Sequence, residues 1–292
     1  MEKAKVYFSK QITPESVVKM YETLGVNLPG KVAVKLHSGE EGNQNYIKPE
    51  FVKAIVEKVN GTVVECNTAY EGERNTTQKH LKLMENHGWS KYFTIDILDA
   101  EGPDKVLEIP NGKVIKKDYV GKNIDKYDSM LVLSHFKGHP MGGYGGALKQ
   151  LSIGVASGHG KIYIHCIGNE KGTPEEMFRV DQDKFLEAMA ESASAVAKYF
   201  ENKIVYINIM CNLSVDCDCC AVAEDPCMKD IGILASIDPI AIDQACIDLI
   251  YSSKDPGRNH FVERVESKHG IHTIETAQKL GFGTRKYELI EI

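Results

Sequence analysis

The chain has 292 residues, of which 42% are hydrophobic and 26% are charged. This composition is typical of a globular protein that can bury one large core or two smaller ones. The formal net charge of -6 and the lack of a long lysine or arginine run argue against nucleic-acid and anionic-membrane binding. The N-terminal sequence lacks the apolar core of a signal peptide, and no apolar run approaches the roughly 18 residues of a membrane span. We therefore expect a cytoplasmic protein with reduced thiols.

Apolar runs of strand length alternate with segments of helical period along the chain. This alternation predicts an α/β fold in which mostly parallel sheet is flanked by helices. In chain order, the predicted strands cover residues 32–36, 62–66, 130–133, 161–165 and 204–209. The predicted helices cover residues 49–59, 75–87, 183–200, 239–251 and 272–280. Segment 99–127 is polar and weakly periodic, which predicts a hairpin excursion or a linker.

We expect a single module over residues 1–292 with two lobes, 1–133 and 134–292, and a cleft between them. Ligands of open α/β sheets bind beyond the carboxyl ends of the strands. Lys35 and His37 end the first predicted strand two residues apart, so they either line such a cleft or are partly exposed strand-end residues. Asp243 lies early in the predicted helix 239–251 and either belongs to a core-facing helix or reaches a site.

A glycine-rich segment, SHFKGHPMGGYGGALKQ, follows the predicted strand 130–133. Its His135 and His139 are candidates for metal binding or acid/base catalysis, and the alternative is that they are ordinary loop histidines. Glycines allow the backbone to approach a ligand closely, and a glycine-rich turn before a short helix is a geometry that binds anions. Lys149 is an anion contact, a nucleophilic amine or a surface residue. The candidate cofactor-binding residues are Gly143, Gly145, Gly146 and Lys149.

Five of the 8 cysteines lie in one short stretch, CNLSVDCDCCAVAEDPC. In an extended chain, residues two apart point the same way, so Cys217 and Cys219 can share a metal while Cys220 faces the opposite side. Thiolates select zinc, iron or an iron–sulfur cluster, but the spacing fits neither zinc-ribbon nor ferredoxin patterns. The alternative is that small buried cysteines simply pack the interior. The candidate metal ligands are Cys217, Cys219, Cys220, Cys227 and Cys211.

Four motifs, SHFKGH, GYGGALKQLSIGVAS, DCDCC and DIGILASIDPIAIDQACIDLIY, resemble the family called domain of unknown function 362. Members of this family are often labelled uncharacterised iron–sulfur centre proteins, so the resemblance implies a metal or an iron–sulfur centre such as a [4Fe–4S] cluster. Many members carry an inserted ferredoxin-like module between the segments that match 161–165 and 185–200. This chain has only a short segment with Cys166 there, and a single cysteine cannot hold a cluster.

The stretch from His139 through GYGGALK to SIGVAS is similar to a stretch of the lactate racemase family. That resemblance implies that Lys149 holds a nickel pincer cofactor derived from a pyridine nucleotide. It also implies that His139 is the acid/base for moving a hydride at a 2-hydroxy acid. A second histidine pair that matches the racemase pattern is not evident.

Three functional hypotheses remain open. The first is a protein that binds a metal ion or an iron–sulfur centre through the cysteine stretch, beside the glycine-rich pocket. The second is a racemase- or isomerase-like enzyme that acts on a small carboxylate and uses Lys149 and His139, with a cofactor bound to Lys149. The third is a non-catalytic module that acts with a ferredoxin-like partner.

Overall fold

A computed structural model describes residues 3–292 of the chain. The strands are β1 (Ala4–Ser9), β2 (Val32–Lys35), β3 (Gly61–Glu65), β4 (Ile95–Ile97), β5 (Lys105–Glu108), β6 (Lys117–Val120), β7 (Ser129–His135), β8 (Lys137–His139), β9 (Gly143–Gly145), β10 (Ile204–Met210), β11 (Gly232–Ser236) and β12 (Tyr287–Glu291). The helices are α1 (Pro14–Thr23), α2 (Pro49–Lys58), α3 (Thr77–Asn86), α4 (Ala147–Leu151), α5 (Gly158–His165), α6 (Gln182–Tyr199), α7 (Pro239–Ser252), α8 (Arg258–Ser267) and α9 (Ile271–Leu280).

An eight-stranded sheet forms the centre, in the order β12-β1-β11-β10-β7-β2-β3-β4. The neighbours from β10 to β4 are parallel, β11 is antiparallel to both β10 and β1, and β12 is parallel to β1. This confirms the predicted α/β class with mostly parallel sheet. Strands from both predicted lobes lie in this one sheet, and the division into lobes 1–133 and 134–292 stays a prediction.

Helices cover both faces of the sheet because its central strands are apolar on both sides. Successive residues of a strand point to opposite faces. Val34 and Leu131 pack with residues of α1, α2 and α3, whereas Ala33 and Met130 pack with residues of α4 to α9. Among residues 3–292, no helix combines the length and the apolar character that a membrane crossing needs.

One predicted strand is wrong, and the other predicted elements are confirmed to within a few residues. Residues 161–165 form the end of helix α5, because Ser157 caps that helix by accepting a hydrogen bond from the backbone N–H of Gly160 at 2.9 Å. A short apolar run has no period that separates a strand from a helix. The polar segment 99–127 contains the antiparallel hairpin of β5 and β6, as one of the two predicted alternatives requires.

The hairpin carries a buried carboxylate that lacks one of its partners. Asp118 of β6 is fully buried, and one of its oxygens accepts a hydrogen bond from the Ser192 hydroxyl at 2.8 Å. Its other oxygen, Oδ1, has no hydrogen-bond partner among the described residues. Burial raises the pKa of Asp118 to about 7, because a buried carboxylate loses the hydration that stabilises its charge.

We expect Asp118→Asn to change how stability depends on pH. A carboxyl whose pKa is higher in the folded than in the unfolded chain stabilises the fold at low pH, and this contribution is lost as pH rises towards 7. The free energy of unfolding of the wild type should therefore fall relative to that of Asp118→Asn by on the order of 3 kcal/mol between pH 4 and pH 8. Urea unfolding at several pH values measures this difference, and parallel pH profiles of the two proteins would contradict it.

Candidate functional site

A cavity of about 460 Å³ lies where the carboxyl ends of β2, β3 and β7 meet the glycine-rich segment and the cysteine stretch. This is the edge at which open α/β sheets bind ligands. Both Lys35 and His37 line the cavity, as one of the two predicted alternatives requires. The other polar lining residues that matter here are Glu65, Arg74, His135, Lys137, His139, Lys149, Lys161, His165, Cys219, Cys220 and Lys268.

A buried carboxylate ties the cysteine stretch to the glycine-rich segment. Asp218 accepts a hydrogen bond from His135 Nδ1 at 2.9 Å and one from the Lys137 ammonium group at 2.7 Å. All three side chains are at most 5% exposed. A buried anion between two cations has its charge compensated, whereas any one member alone would be costly to bury.

His135 has no ring nitrogen left for catalysis. Its Nδ1 faces the Asp218 carboxylate, and its Nε2 lies 2.6 Å from the backbone carbonyl oxygen of Cys211. Both partners can only accept, so both nitrogens carry a proton. Burial alone lowers the pKa of His135, but the charge of Asp218 and the two hydrogen bonds raise it to about 10. The predicted acid/base role therefore does not suit His135, which is a charged structural group.

His139 has the opposite electrostatic state. Its Nδ1 accepts hydrogen bonds from the backbone N–H groups of Met141 at 3.1 Å and Gly142 at 2.8 Å. A neutral imidazole has a single acceptor nitrogen, so the proton of His139 lies on Nε2. Burial and the nearby charge of Lys149 lower the pKa of His139 to about 4. At neutral pH this ring is an uncharged N–H donor.

His165 is a second neutral histidine of the cavity, and it was not predicted from the sequence. Its Nδ1 donates a hydrogen bond to the backbone carbonyl of Lys161 at 2.7 Å, which leaves Nε2 as an unprotonated acceptor. Burial lowers the pKa of His165 to about 4, and its ring stacks on Phe185 with centroids 4.8 Å apart. Residues 161–165 were predicted to form a strand, and a strand does not place Lys161 and His165 on the same helical face. Ser157 before Gly158 was the available signal, since it predicts a helix start that places Lys161 and His165 one turn apart.

The structure brings together two of the five candidate cysteine ligands. The possible ligand atoms of His139, Cys217 and Cys219 all lie within 4.8 Å of one another. In the part of the chain that the structure describes, Cys211, Cys220 and Cys227 belong to no such group of three or more. The Cys227 thiol instead donates to the carbonyl of Leu213 at 3.3 Å. The structure thus groups two of the candidate thiols with one imidazole, and metal binding by Cys211, Cys220 and Cys227 stays a prediction.

Three donors fit a single metal ion better than a cluster. A mononuclear site with three protein ligands keeps an open position for a further ligand, whereas a [4Fe–4S] cluster needs four cysteines. The hydrogen bond that the Cys217 thiol donates to the Cys219 side chain, together with burial, raises the pKa of Cys217 to about 11, so a metal would have to displace its proton. The imidazole fits less well, because a ligating histidine donates its second N–H, whereas Nδ1 of His139 accepts two hydrogen bonds.

Packing explains two of the three candidate glycines. A Cβ at Gly146 would collide with the carboxylate of Asp243, and a Cβ at Gly143, which has φ +79°, would lie 2.9 Å from Gly270. Gly145 and Gly146 line the cavity, and Gly143 is not among its lining residues. A Cβ at Gly145 would meet the Lys149 side chain at 3.4 Å. Gly145 is therefore the candidate at which a side chain would point towards Lys149.

The start of α4 is already occupied by a side chain of the protein. Asp243 accepts hydrogen bonds from the backbone N–H groups of Ala147 at 2.8 Å and Leu148 at 3.0 Å, and from the Asn208 side chain at 2.8 Å. Asp243 is fully buried, so the alternative of a core-facing helix position applies to it. The two amides at the helix start that were predicted to bind an anion are thus already paired with a carboxylate of the protein.

Family comparison agrees with the motifs in the sequence. Residues 32–248, about three quarters of the chain, match the family described as Domain of unknown function (DUF362). The chain belongs to the DUF362 family. No curated protein matches this DUF362 protein.

Comparison with solved structures gives two distant matches. One is the lactate racemase apoprotein from Thermoanaerobacterium thermosaccharolyticum, with 15% identity and a TM-score of 0.42 over 70% of the DUF362 protein and 50% of that chain. Another is a protein from Thermotoga maritima, with 10% identity and a TM-score of 0.41 over 91% of the DUF362 protein and 58% of that chain. The DUF362 protein therefore spans between half and three fifths of the length of these two chains.

We expect Asp218→Asn to destabilise the DUF362 protein strongly, because it leaves the charges of His135 and Lys137 buried without an anion. The expected loss in the free energy of unfolding is roughly 3–5 kcal/mol. Asp216→Asn is the matched control, since Asp216 lies two residues away and forms a partly exposed pair with Arg264 at 3.0 Å. That pair should contribute about 1 kcal/mol or less. Equal losses in denaturant unfolding of the two variants would contradict the special role of Asp218.

Proposed function

We propose that this DUF362 protein is an isomerase-type enzyme that binds a small carboxylate in the cavity and transfers a proton with the help of two neutral histidines. The observation that carries the proposal is the complementary protonation of His139 and His165. His139 carries its proton on Nε2, which lies 3.8 Å from Cys219 Sγ, whereas Nε2 of His165 is bare, and both histidines line the same cavity.

The charge of the cavity supports an anionic ligand. Lys149, Lys161 and Lys268 line it, and none of them has a carboxylate oxygen within 4.0 Å among residues 3–292. In contrast, Lys137 and Arg74 are each paired with a buried carboxylate, at 2.7 Å from Asp218 and 3.1 Å from Glu40 respectively. Three ammonium groups without a protein anion attract a ligand that carries negative charge.

The two histidines have different parts in the proposed reaction. His165 Nε2 takes a proton from C2 of a 2-hydroxy acid or from C3 of a 2-oxo acid, and returns it to the same carbon or to a neighbouring atom, so the ligand gains and loses no proton overall. His139 Nε2–H donates a hydrogen bond to the ligand oxygen on which negative charge develops. A neutral imidazole suits this task because it polarises an oxygen without giving its proton away. The ligand class is a small 2-oxo or 2-hydroxy acid.

Lys149 holds the ligand carboxylate or a cofactor in this proposal. Its ammonium group lies 4.0 Å from Cys217 Sγ and has no carboxylate partner in the described chain. A lysine free of a carboxylate partner can form an ion pair with a ligand or react as an amine. The cofactor expected from the lactate racemase resemblance would be held here, and it would supply hydride chemistry when bound.

We expect Lys161→Met to weaken the binding of 2-oxobutanoate at least tenfold, because it removes one uncompensated charge from the cavity.

We expect His165→Gln to abolish the exchange of the C3 protons of 2-oxobutanoate in heavy water. Isothermal titration calorimetry measures the first effect and proton NMR the second. Since the pKa of His165 is about 4, exchange by the wild type should be independent of pH above about 5.

Lys254→Met is the control, because Lys254 is exposed and lies outside the cavity. It should leave both binding and exchange unchanged. The proposal would be overturned if neither 2-oxo nor 2-hydroxy acids bind to the wild type. It would also be overturned if His165→Gln exchanges protons as fast as the wild type.

A metal ion held by the thiols is a second candidate function, favoured by the mutual approach of His139, Cys217 and Cys219 within 4.8 Å. Two thiolates select a soft or borderline ion such as zinc, and the open position of such a site would face the cavity. An iron–sulfur cluster and a ferredoxin-like partner stay predictions.

For the metal, we expect about one equivalent of zinc after anaerobic reconstitution. Cys217→Ser and Cys219→Ser should each weaken zinc binding at least tenfold, because each removes a thiolate ligand. Cys227→Ser should not, since its thiol bonds to a backbone carbonyl outside the group. Competition with a chromophoric chelator measures the affinity. Retention of full affinity in the two serine variants, or no zinc in the wild type, would remove the metal hypothesis.

A further inference from the structure

We infer that the ligand of the cavity is a carboxylate with an aromatic or long aliphatic side chain rather than one as small as lactate. This inference rests on the proposed function and specifies its substrate class.

One wall of the cavity is apolar and too extensive for a two- or three-carbon acid. It is formed by Met141, Ile153, Met177, Phe178, Val180 and Phe185. Ligand sites are lined mainly by apolar side chains, with a few polar groups that fix the orientation. A volume of about 460 Å³ matches a ligand of this kind, since ligand pockets of this class range from about 300 to 1,000 Å³.

The apolar wall adjoins the groups that would hold and transform the carboxylate. Phe185 stacks on the ring of His165, and Lys161 lies one helical turn before that histidine. A carboxylate near Lys161 would therefore place the adjacent carbon towards His165 and its substituent along Phe185. The apolar wall thus begins where the substituent of a 2-oxo or 2-hydroxy acid would extend.

The exposure of Phe178 at the cavity is not explained by a small ligand. Its side chain is 69% exposed although it lines the cavity, while the preceding Met177 is 3% exposed. An aromatic side chain gains most from burial when it contacts another apolar surface. A ligand with a phenyl or long alkyl group provides that surface at the cavity mouth, and lactate does not.

The experiment compares four probes by calorimetry on the full-length protein: L-lactate, L-3-phenyllactate, L-3-phenyllactamide and 3-phenylpropanoate. We expect L-3-phenyllactate to bind at least tenfold more tightly than L-lactate, because even one methylene in an apolar pocket changes affinity by roughly tenfold. The neutral amide should bind more weakly than the acid. In Phe178→Ala the preference for the phenyl group should fall several-fold, whereas Ile237→Ala, which changes an apolar residue that is 61% exposed and outside this cavity, should retain it.

The outcomes separate this inference from the proposed function. Equal affinities for lactate and phenyllactate, with the amide still weaker, would overturn the inference about substrate size and leave the anion site standing. An unchanged phenyl preference in Phe178→Ala would also overturn it. Equal affinities for phenyllactate and its amide would instead contradict the anionic ligand and so the proposed function itself. Binding of 3-phenylpropanoate close to that of phenyllactate would support recognition by the carboxylate and the apolar wall.

Discussion

The cavity depends on the burial of one carboxylate between two cations. Asp218 belongs to the cysteine stretch, whereas His135 and Lys137 belong to the chain around β7 and β8. A buried ion is tolerated only when its charge is compensated. Moving these two segments apart would therefore leave unpaired charges in the protein interior. This constraint places Cys217 and Cys219 against His139, and of the two cysteines Cys219 lines the cavity together with that histidine.

Hydrogen bonds to the backbone decide what each histidine can do. Three histidines that line the cavity have three different protonation patterns. His135 is doubly protonated between two acceptors, His139 carries its proton on Nε2, and His165 carries it on Nδ1. The chemical capacity of the cavity follows from these patterns rather than from the number of histidines. A charged ring, a neutral donor and a neutral acceptor are different reagents.

Much of what looks like ligand-binding sequence serves packing in the folded protein. The glycine-rich turn leads into the start of α4. The first backbone N–H groups of that helix already donate hydrogen bonds to the buried carboxylate of Asp243. Gly146 is required because that carboxylate lies against it, and Gly143 because the backbone at Gly270 does. In the proposed function the anion is instead held by Lys149, Lys161 and Lys268, which line the cavity and have no carboxylate oxygen within 4.0 Å in the described chain.

The local pattern of the chain determined the α/β class, four of the five predicted strands and all five predicted helices, because period and capping act within a few residues. It also marked His139 and Lys149. Tertiary structure alone decided that His165 enters the cavity and that Asp218 neutralises His135 and Lys137. Those outcomes arise from pairings between residues more than 70 positions apart, such as His135 with Asp218, and from burial. Neither is encoded in the spacing of residues along the sequence.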